Sequence, residues 1–129
     1  MSNADNKQIG GLHYKHFEYE HWNFATDILH SDAYLKGCCS KYIARYRFKN
    51  GMEDLQKAKH YLEKIIELNI KTEITKETSL YLTVFTDQLE YYEKLIIKNI
   101  YLNKFDIAMD NLNKLIEQYE IANSEFYKG

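Results

Sequence analysis

Residues 34–62 read YLKGCCSKYIARYRFKNGMEDLQKAKHYL, and this stretch decides the fold. At about 100° per residue, Leu35, Cys39, Tyr42 and Tyr46 fall on one apolar stripe of a helix. Lys41, Arg45 and Lys49 line one edge of that stripe at helical spacing. Ala33, Gly37, Ser40 and Ala44 make a small-residue stripe on the opposite side, where a backbone or a ligand could come close. Asn50-Gly51 then ends the helix, because glycine suits the left-handed position after a helix C-terminus. Beyond it Leu55, Ala58, Leu62, Ile65 and Ile66 repeat at helical spacing, with Glu53 and Asp54 in the first turn, where carboxylates favour the helix dipole. The pattern predicts helices over 32–48 and 52–70, antiparallel because the link between them is short.

Working outward, Trp22, Ala25, Ile28 and Leu29 share one side of a further helix expected over 18–30. Residues 1–17 are polar, contain Gly10-Gly11 and show no period, which reads as a loose arm. Ser31 is an expected helix cap. Downstream, Lys71–Thr78 reads as a threonine-rich loop. A long helix is expected over 79–101 on Leu82, Phe85, Leu89, Tyr92 and Ile96, then a turn at Asn103-Lys104. The last helix is expected over 105–123 on Ala108, Leu112, Leu115 and Tyr119. With no proline in the chain, nothing forbids such lengths. The expectation is an all-α bundle of about five helices built from two antiparallel hairpins. Within one domain, residues 1–17 form the arm, 18–70 the helical core and 71–129 a C-terminal hairpin packed on it.

The net charge of −2 over 129 residues gives no general attraction to nucleic acid. Between Lys36 and Lys59, however, seven cations face two carboxylates, and both arginines of the protein lie there. The two cysteines, Cys38 and Cys39, are adjacent. Neighbouring cysteines rarely bridge each other, so the expected compartment is reducing and cytoplasmic. No apolar run approaches membrane-spanning length.

Lys41, Arg45, Lys49 and, from the facing helix, Lys57 carry the donors that hold phosphate: a planar fork on arginine, point charges on lysine. Gly37 would let a ligand near the backbone. Tyr42 and Tyr61 could flank a base or order the cations. The competing reading is a helix pair tied by ion pairs, with Asp54 joined to Arg45. Glu20 and Asp27, seven apart on one helical face, could hold Mg²⁺ beside a phosphate; a solvated polar face is the alternative. Glu90-x-x-Glu93 and Glu117-x-x-Glu120 resemble the carboxylate pairs of a helical nucleotide pyrophosphatase. Glu117 is nevertheless expected to point toward water. His13, His16 and His21 with the cysteines match no standard zinc spacing. The chain has neither a phosphate-binding G-x-x-x-x-G-K-[ST] loop nor a G-x-G-x-x-G turn.

One series fixes identities as well as period: His13-Tyr14, carboxylates at Glu18 and Glu20, Gly37, Lys41-Tyr42, Arg45, Lys49, Glu53-Asp54-Leu55, Lys57-Ala58 and Tyr61. It resembles a small phage and prophage domain family of unknown function (SaV-like). It is also similar to the carboxy-terminal segment of the T7-type phage nucleotide monophosphate kinases, over a little more than fifty residues. Gly37-Cys38 stands where that family often has Gly-Asn, and the cysteine-rich amino-terminal region of the kinases has no counterpart. The resemblance implies a phage-type protein in a bacterial host's cytoplasm that binds nucleotide phosphates, with phosphotransfer as an associated chemistry. The rival expectation is a non-enzymatic helical module that binds a partner or a second copy through its acidic C-terminal region. A third is single-strand binding through cations interleaved with Tyr42, Tyr46 and Phe48.

Overall fold

The computed structural model describes the backbone of residues 31–128 and the side chains of residues 33–124. The helix expected over 18–30 lies outside them. The described chain is all-α: α1 (Ser31–Arg45), one 3₁₀ turn (Tyr46–Phe48), α2 (Met52–Leu68), α3 (Lys76–Thr86), α4 (Tyr91–Tyr101) and α5 (Phe105–Lys128). The α1–α2 pair forms one hairpin and α4–α5 another. α5 lies against α2, α4 against α1, and α3 rests chiefly on α4.

One apolar core joins the two hairpins. Leu35, Cys39 and Ile43 come from α1, Leu55, Ala58, Leu62 and Ile65 from α2, Ile96, Ile97 and Ile100 from α4, and Ala108, Leu112, Leu115 and Ile116 from α5. Burying each Leu or Ile is worth about 1.5–3 kcal/mol against leaving it in water, so these stripes hold the bundle together. The stripe expected on α1 is buried along its length, and Ile43 widens it. Its small-residue side is less engaged. Ala33 is exposed, and a Cβ built on Gly37 would meet nothing within 4 Å. Ser40 reaches across on this side, its hydroxyl lying 3.0 Å from that of Tyr101.

The turn after α1 differs from a simple glycine cap. α1 stops at Arg45, its end tightens into the 3₁₀ turn, and the Gly51 N–H donates to the Tyr46 carbonyl at 2.9 Å. Gly51 has φ 56° and ψ −120°, a region outside the left-handed helical well and open chiefly to glycine. It serves as the residue leading into α2. A Cβ there would also overlap the Tyr119 hydroxyl of α5. The turn is thus pinned by the second hairpin as well as by its own backbone.

The helix expected over 79–101 is two helices, so residues 71–129 hold three helices and not a hairpin alone. Thr75 starts α3 earlier than expected, its hydroxyl accepting the Thr78 N–H at 3.1 Å. At the other end the Thr86 hydroxyl bonds back to the Leu82 carbonyl at 2.8 Å, a contact that loosens a helix. The N–H groups of Asp87, Gln88 and Leu89 fold onto Thr83, Phe85 and Thr86 carbonyls. Glu90 is extended and begins α4. Asp87 bridges the break to Lys94 at 2.7 Å, a hydrogen bond and charge that hold its carboxyl below the usual range. Neither glycine nor proline marks this break, which is why the apolar period alone runs through it.

Candidate anion site around Tyr42

Lys41, Tyr42 and Arg45 project from α1 where it crosses Asp54, Lys57 and Tyr61 of α2. Tyr42 is buried and stacks on Tyr61, with ring centroids 5.9 Å apart and planes inclined by 27°. Tyr61 in turn meets Tyr34 edge-on at 6.4 Å. Three cations gather on the Tyr42 ring. The Lys41 ammonium lies 4.9 Å from its centroid, the Arg45 guanidinium 4.7 Å and the Lys57 ammonium 5.6 Å. Each such contact contributes about 0.5–1 kcal/mol at a partly exposed position. The ring therefore acts as the post that holds like charges close together.

Two carboxylates offset part of that charge. Asp54 is fully buried and accepts from Arg45 Nη2 at 3.3 Å and from the Asn50 N–H at 3.2 Å. Glu53 lies 3.4 Å from the Lys57 ammonium. Among the described residues these three cations and two carboxylates carry a net charge of +1. Arg45 remains 34% exposed, yet its Nε is buried and has no hydrogen-bond partner among the described residues. A buried donor left unmade costs about 1–3 kcal/mol. Lys49 follows the 3₁₀ turn at an exposed position, and Phe48, the last residue of that turn, is 77% exposed under the Arg47 guanidinium. Gly37 opens onto free space. Glu20 and Asp27 lie outside the described residues. Among the described residues no group of three or more His, Cys, Asp or Glu could hold a metal ion.

The second arginine has a different task. Arg47 reaches Glu90 at 3.5 Å and Glu93 at 3.3 Å, tying the first hairpin to the start of α4. Glu93 is buried and also hydrogen-bonds the Tyr46 hydroxyl. Burial first, and the Glu93 charge and hydrogen bond next, push that hydroxyl up to about 12. The Glu90-x-x-Glu93 pair is therefore engaged by a cation of its own chain, while Glu117 and Glu120 are exposed.

Two buried polar arrangements escaped the sequence reading. Lys36 sits on the apolar side of α1, fully buried, and donates to Asn103 Oδ1 at 2.7 Å while lying 5.2 Å from the Phe105 ring centroid. Asn103, in the left-handed conformation at φ 63°, accepts the Thr72 N–H at 2.9 Å and donates to the Thr72 carbonyl at 2.8 Å. One asparagine thus joins α1, the loop before α3 and the α4–α5 turn. The Asn-Lys turn signal was legible, but its tertiary partners were not. Cys39 is buried and donates to the Ala58 carbonyl at 3.3 Å. Burial, chiefly, raises its pKa well above the ordinary thiol range, so the thiolate a nucleophile needs is disfavoured.

Fold and cluster together define a small helical bundle whose first hairpin carries a tyrosine-centred group of cations. Residues 11–63 match a family described as a protein of unknown function (DUF3310). No curated protein and no solved structure matches the chain. The matched segment spans α1, the turn and most of α2. It includes Lys41, Tyr42, Arg45, Asp54, Lys57 and Tyr61, and it stops short of α3. No helix among the described residues is long and apolar enough to cross a membrane.

Proposed function

We propose that the α1–α2 hairpin binds the phosphate of a nucleotide or another phosphorylated small molecule at Lys41, Arg45 and Lys57. The observation that carries this reading is the buried Nε of Arg45, which has no hydrogen-bond partner among the described residues and whose guanidinium shares the Tyr42 ring with two ammonium groups. A phosphate oxygen would accept from that donor, while Asp54 keeps the guanidinium in place from Nη2. Tyr42 and Tyr61 are buried against each other, so their part is to hold the cations and not to stack on a base. The resemblance of this segment to phage and prophage domains, and to the end of the T7-type nucleotide monophosphate kinases, supports a nucleotide as the ligand. It also makes phosphotransfer the chemistry to assay, with Mg²⁺ as the accompanying ion.

A thermal-shift titration with nucleoside monophosphates, nucleoside triphosphates and ribose 5-phosphate, each with and without Mg²⁺, tests the reading. Binding to the native state raises the melting temperature with ligand concentration by mass action. Lys41→Ala, which leaves the Arg45–Asp54 pair intact, is expected to weaken binding about tenfold, the effect of losing one charge-assisted contact. Its far-UV circular dichroism should match the parent. If no phosphate ligand shifts the melting temperature, the cations are only the fastening of a hairpin.

A further inference from the structure

α3 reverses the usual placement of side chains. Leu80, Tyr81, Val84 and Phe85 are 62%, 65%, 57% and 42% exposed. Leu82 and Thr86, at the intervening helical positions, turn inward to the rest of the bundle. The four outward residues are spaced i, i+1, i+4 and i+5, so they form one continuous strip along the helix. From Thr78 to Thr86 no residue is charged. Single exposed apolar side chains are ordinary; a contiguous strip without charges marks a surface that water leaves.

We infer that this strip is where a second copy of the chain docks, with the two α3 helices antiparallel across a twofold axis. Three observations select that occupant. First, the spacing reads the same in either direction. Turning one copy about an axis between Leu82 and Thr83 sets Leu80 against Phe85 of the other, and Tyr81 against Val84, as a self-complementary contact requires. Second, the ends are complementary in charge. The N-terminal end carries Lys76 and the positive end of the helix dipole, and the C-terminal end carries the negative end of the dipole and Asp87, a carboxylate that Lys94 engages through one oxygen. The antiparallel register brings Lys76 to the end of the other copy's helix that carries Asp87. Glu77, whose carboxylate accepts from the Tyr81 hydroxyl at 3.3 Å, falls opposite the neutral Gln88. A parallel pairing would set like ends together. Third, the area fits a reversible dimer. Two aromatic and two aliphatic side chains at these exposures offer roughly 400–500 Å² per copy, near the lower bound of specific interfaces. Dissociation is therefore expected at about micromolar concentration.

Sedimentation velocity on the full chain from roughly 1 to 200 µM is the test. The parent should pass from monomer to dimer across that range. The double variant Leu80→Lys/Val84→Lys should remain monomeric at every concentration, with the circular dichroism and low-concentration melting temperature of the parent. Lys76→Glu, which changes an exposed end and no apolar contact, should shift the midpoint to higher protein concentration and lessen its salt dependence. A parent that stays monomeric throughout overturns the inference and leaves the strip to a different protein. A dimer that survives Leu80→Lys/Val84→Lys places the interface elsewhere and overturns it equally. Neither result touches the phosphate reading, which rests on α1 and α2.

Discussion

Asp54 and Leu80 both occupy places that their chemistry alone would not choose. The aspartate is sealed inside the first hairpin, and the leucine stands mostly in water on α3. The hairpin tolerates its buried charge because the chain supplies partners from both sides: the Arg45 guanidinium and the Asn50 N–H for Asp54, and Asn103 for Lys36. α3 has no such remedy within the described residues, since it rests chiefly on α4 and offers its other side outward. Buried polar groups are therefore solved inside one chain, whereas an outward apolar strip is solved by association. The two regions should respond to substitution in opposite ways, and stability is the quantity that separates them.

The largest effect is expected at Asp54. Asp54→Ala leaves a half-buried guanidinium without its carboxylate and the Asn50 N–H without its acceptor. Losing one member of a pair buried on one side should destabilise the fold by about 3 kcal/mol, read as a lower midpoint in urea denaturation with an unchanged slope. Leu80→Lys, measured under conditions where the chain is monomeric, should move the same midpoint by no more than about 0.5 kcal/mol. A small loss at Asp54 with a large one at Leu80 would invert the comparison and show α3 to be part of the folding core.

Much of this architecture was legible from residue order, and the gaps share one physical cause. The hairpin could be read because Leu35, Cys39, Leu55, Ala58 and Leu62 repeat at the helical period and Asn50-Gly51 punctuates them. Three of the four cations proposed to hold phosphate meet on Tyr42 because spacing of four places Lys41 and Arg45 on one edge, and a short turn brings Lys57 opposite. Lys49 falls past the point where the helix tightens, which spacing within an ideal helix does not anticipate. The break at Asp87–Glu90 was hidden for a related reason. The Thr86 hydroxyl and the Asp87–Lys94 bridge end α3 by side-chain chemistry, while Leu89, Tyr92 and Ile96 keep the apolar period across the gap. Lys36 entered the sequence reading only as one of the seven cations between Lys36 and Lys59, since its acceptor lies sixty-seven residues away. Long-range polar pairing leaves no periodic trace.

The turn between α1 and α2 gives an intermediate effect and sharpens the account of why the hairpin is rigid. Gly51→Ala imposes a Cβ on a glycine-only conformation and drives it into the Tyr119 ring, whose Cζ would lie 3.2 Å away. Strained backbone of this kind costs about 1–3 kcal/mol, so a loss near 2 kcal/mol is expected. Repeating the substitution in a Tyr119→Phe background removes the overlapping hydroxyl but not the backbone strain. The penalty should fall by roughly half, and the difference is the coupling between turn and α5. An equal penalty in both backgrounds would mean that the turn resists alanine through φ alone.

The smallest loss expected at a buried polar group concerns Tyr46, where the first hairpin meets Glu93 of α4. Its hydroxyl is pushed from the ordinary 10.0 up to about 12 in the folded protein, by burial above all and then by Glu93. A raised pKa on a group that is neutral when protonated means that the native state holds this proton more tightly than the unfolded chain does. The stabilisation is complete below pH 10 and declines as the unfolded tyrosine ionises, until it is gone near pH 12. Tyr101, raised by burial against the opposing Ser40 hydrogen bond, contributes in the same sense. Tyr46→Phe should therefore be less stable than the parent at neutral pH by about 1 kcal/mol, the net worth of one typical hydrogen bond. Through the alkaline window its stability should fall more gently, because one of the two tyrosine protons no longer takes part. Urea denaturation at a series of alkaline pH values measures that slope directly. Parallel curves for Tyr46→Phe and the parent would remove Tyr46 from the set of polar groups settled inside the chain.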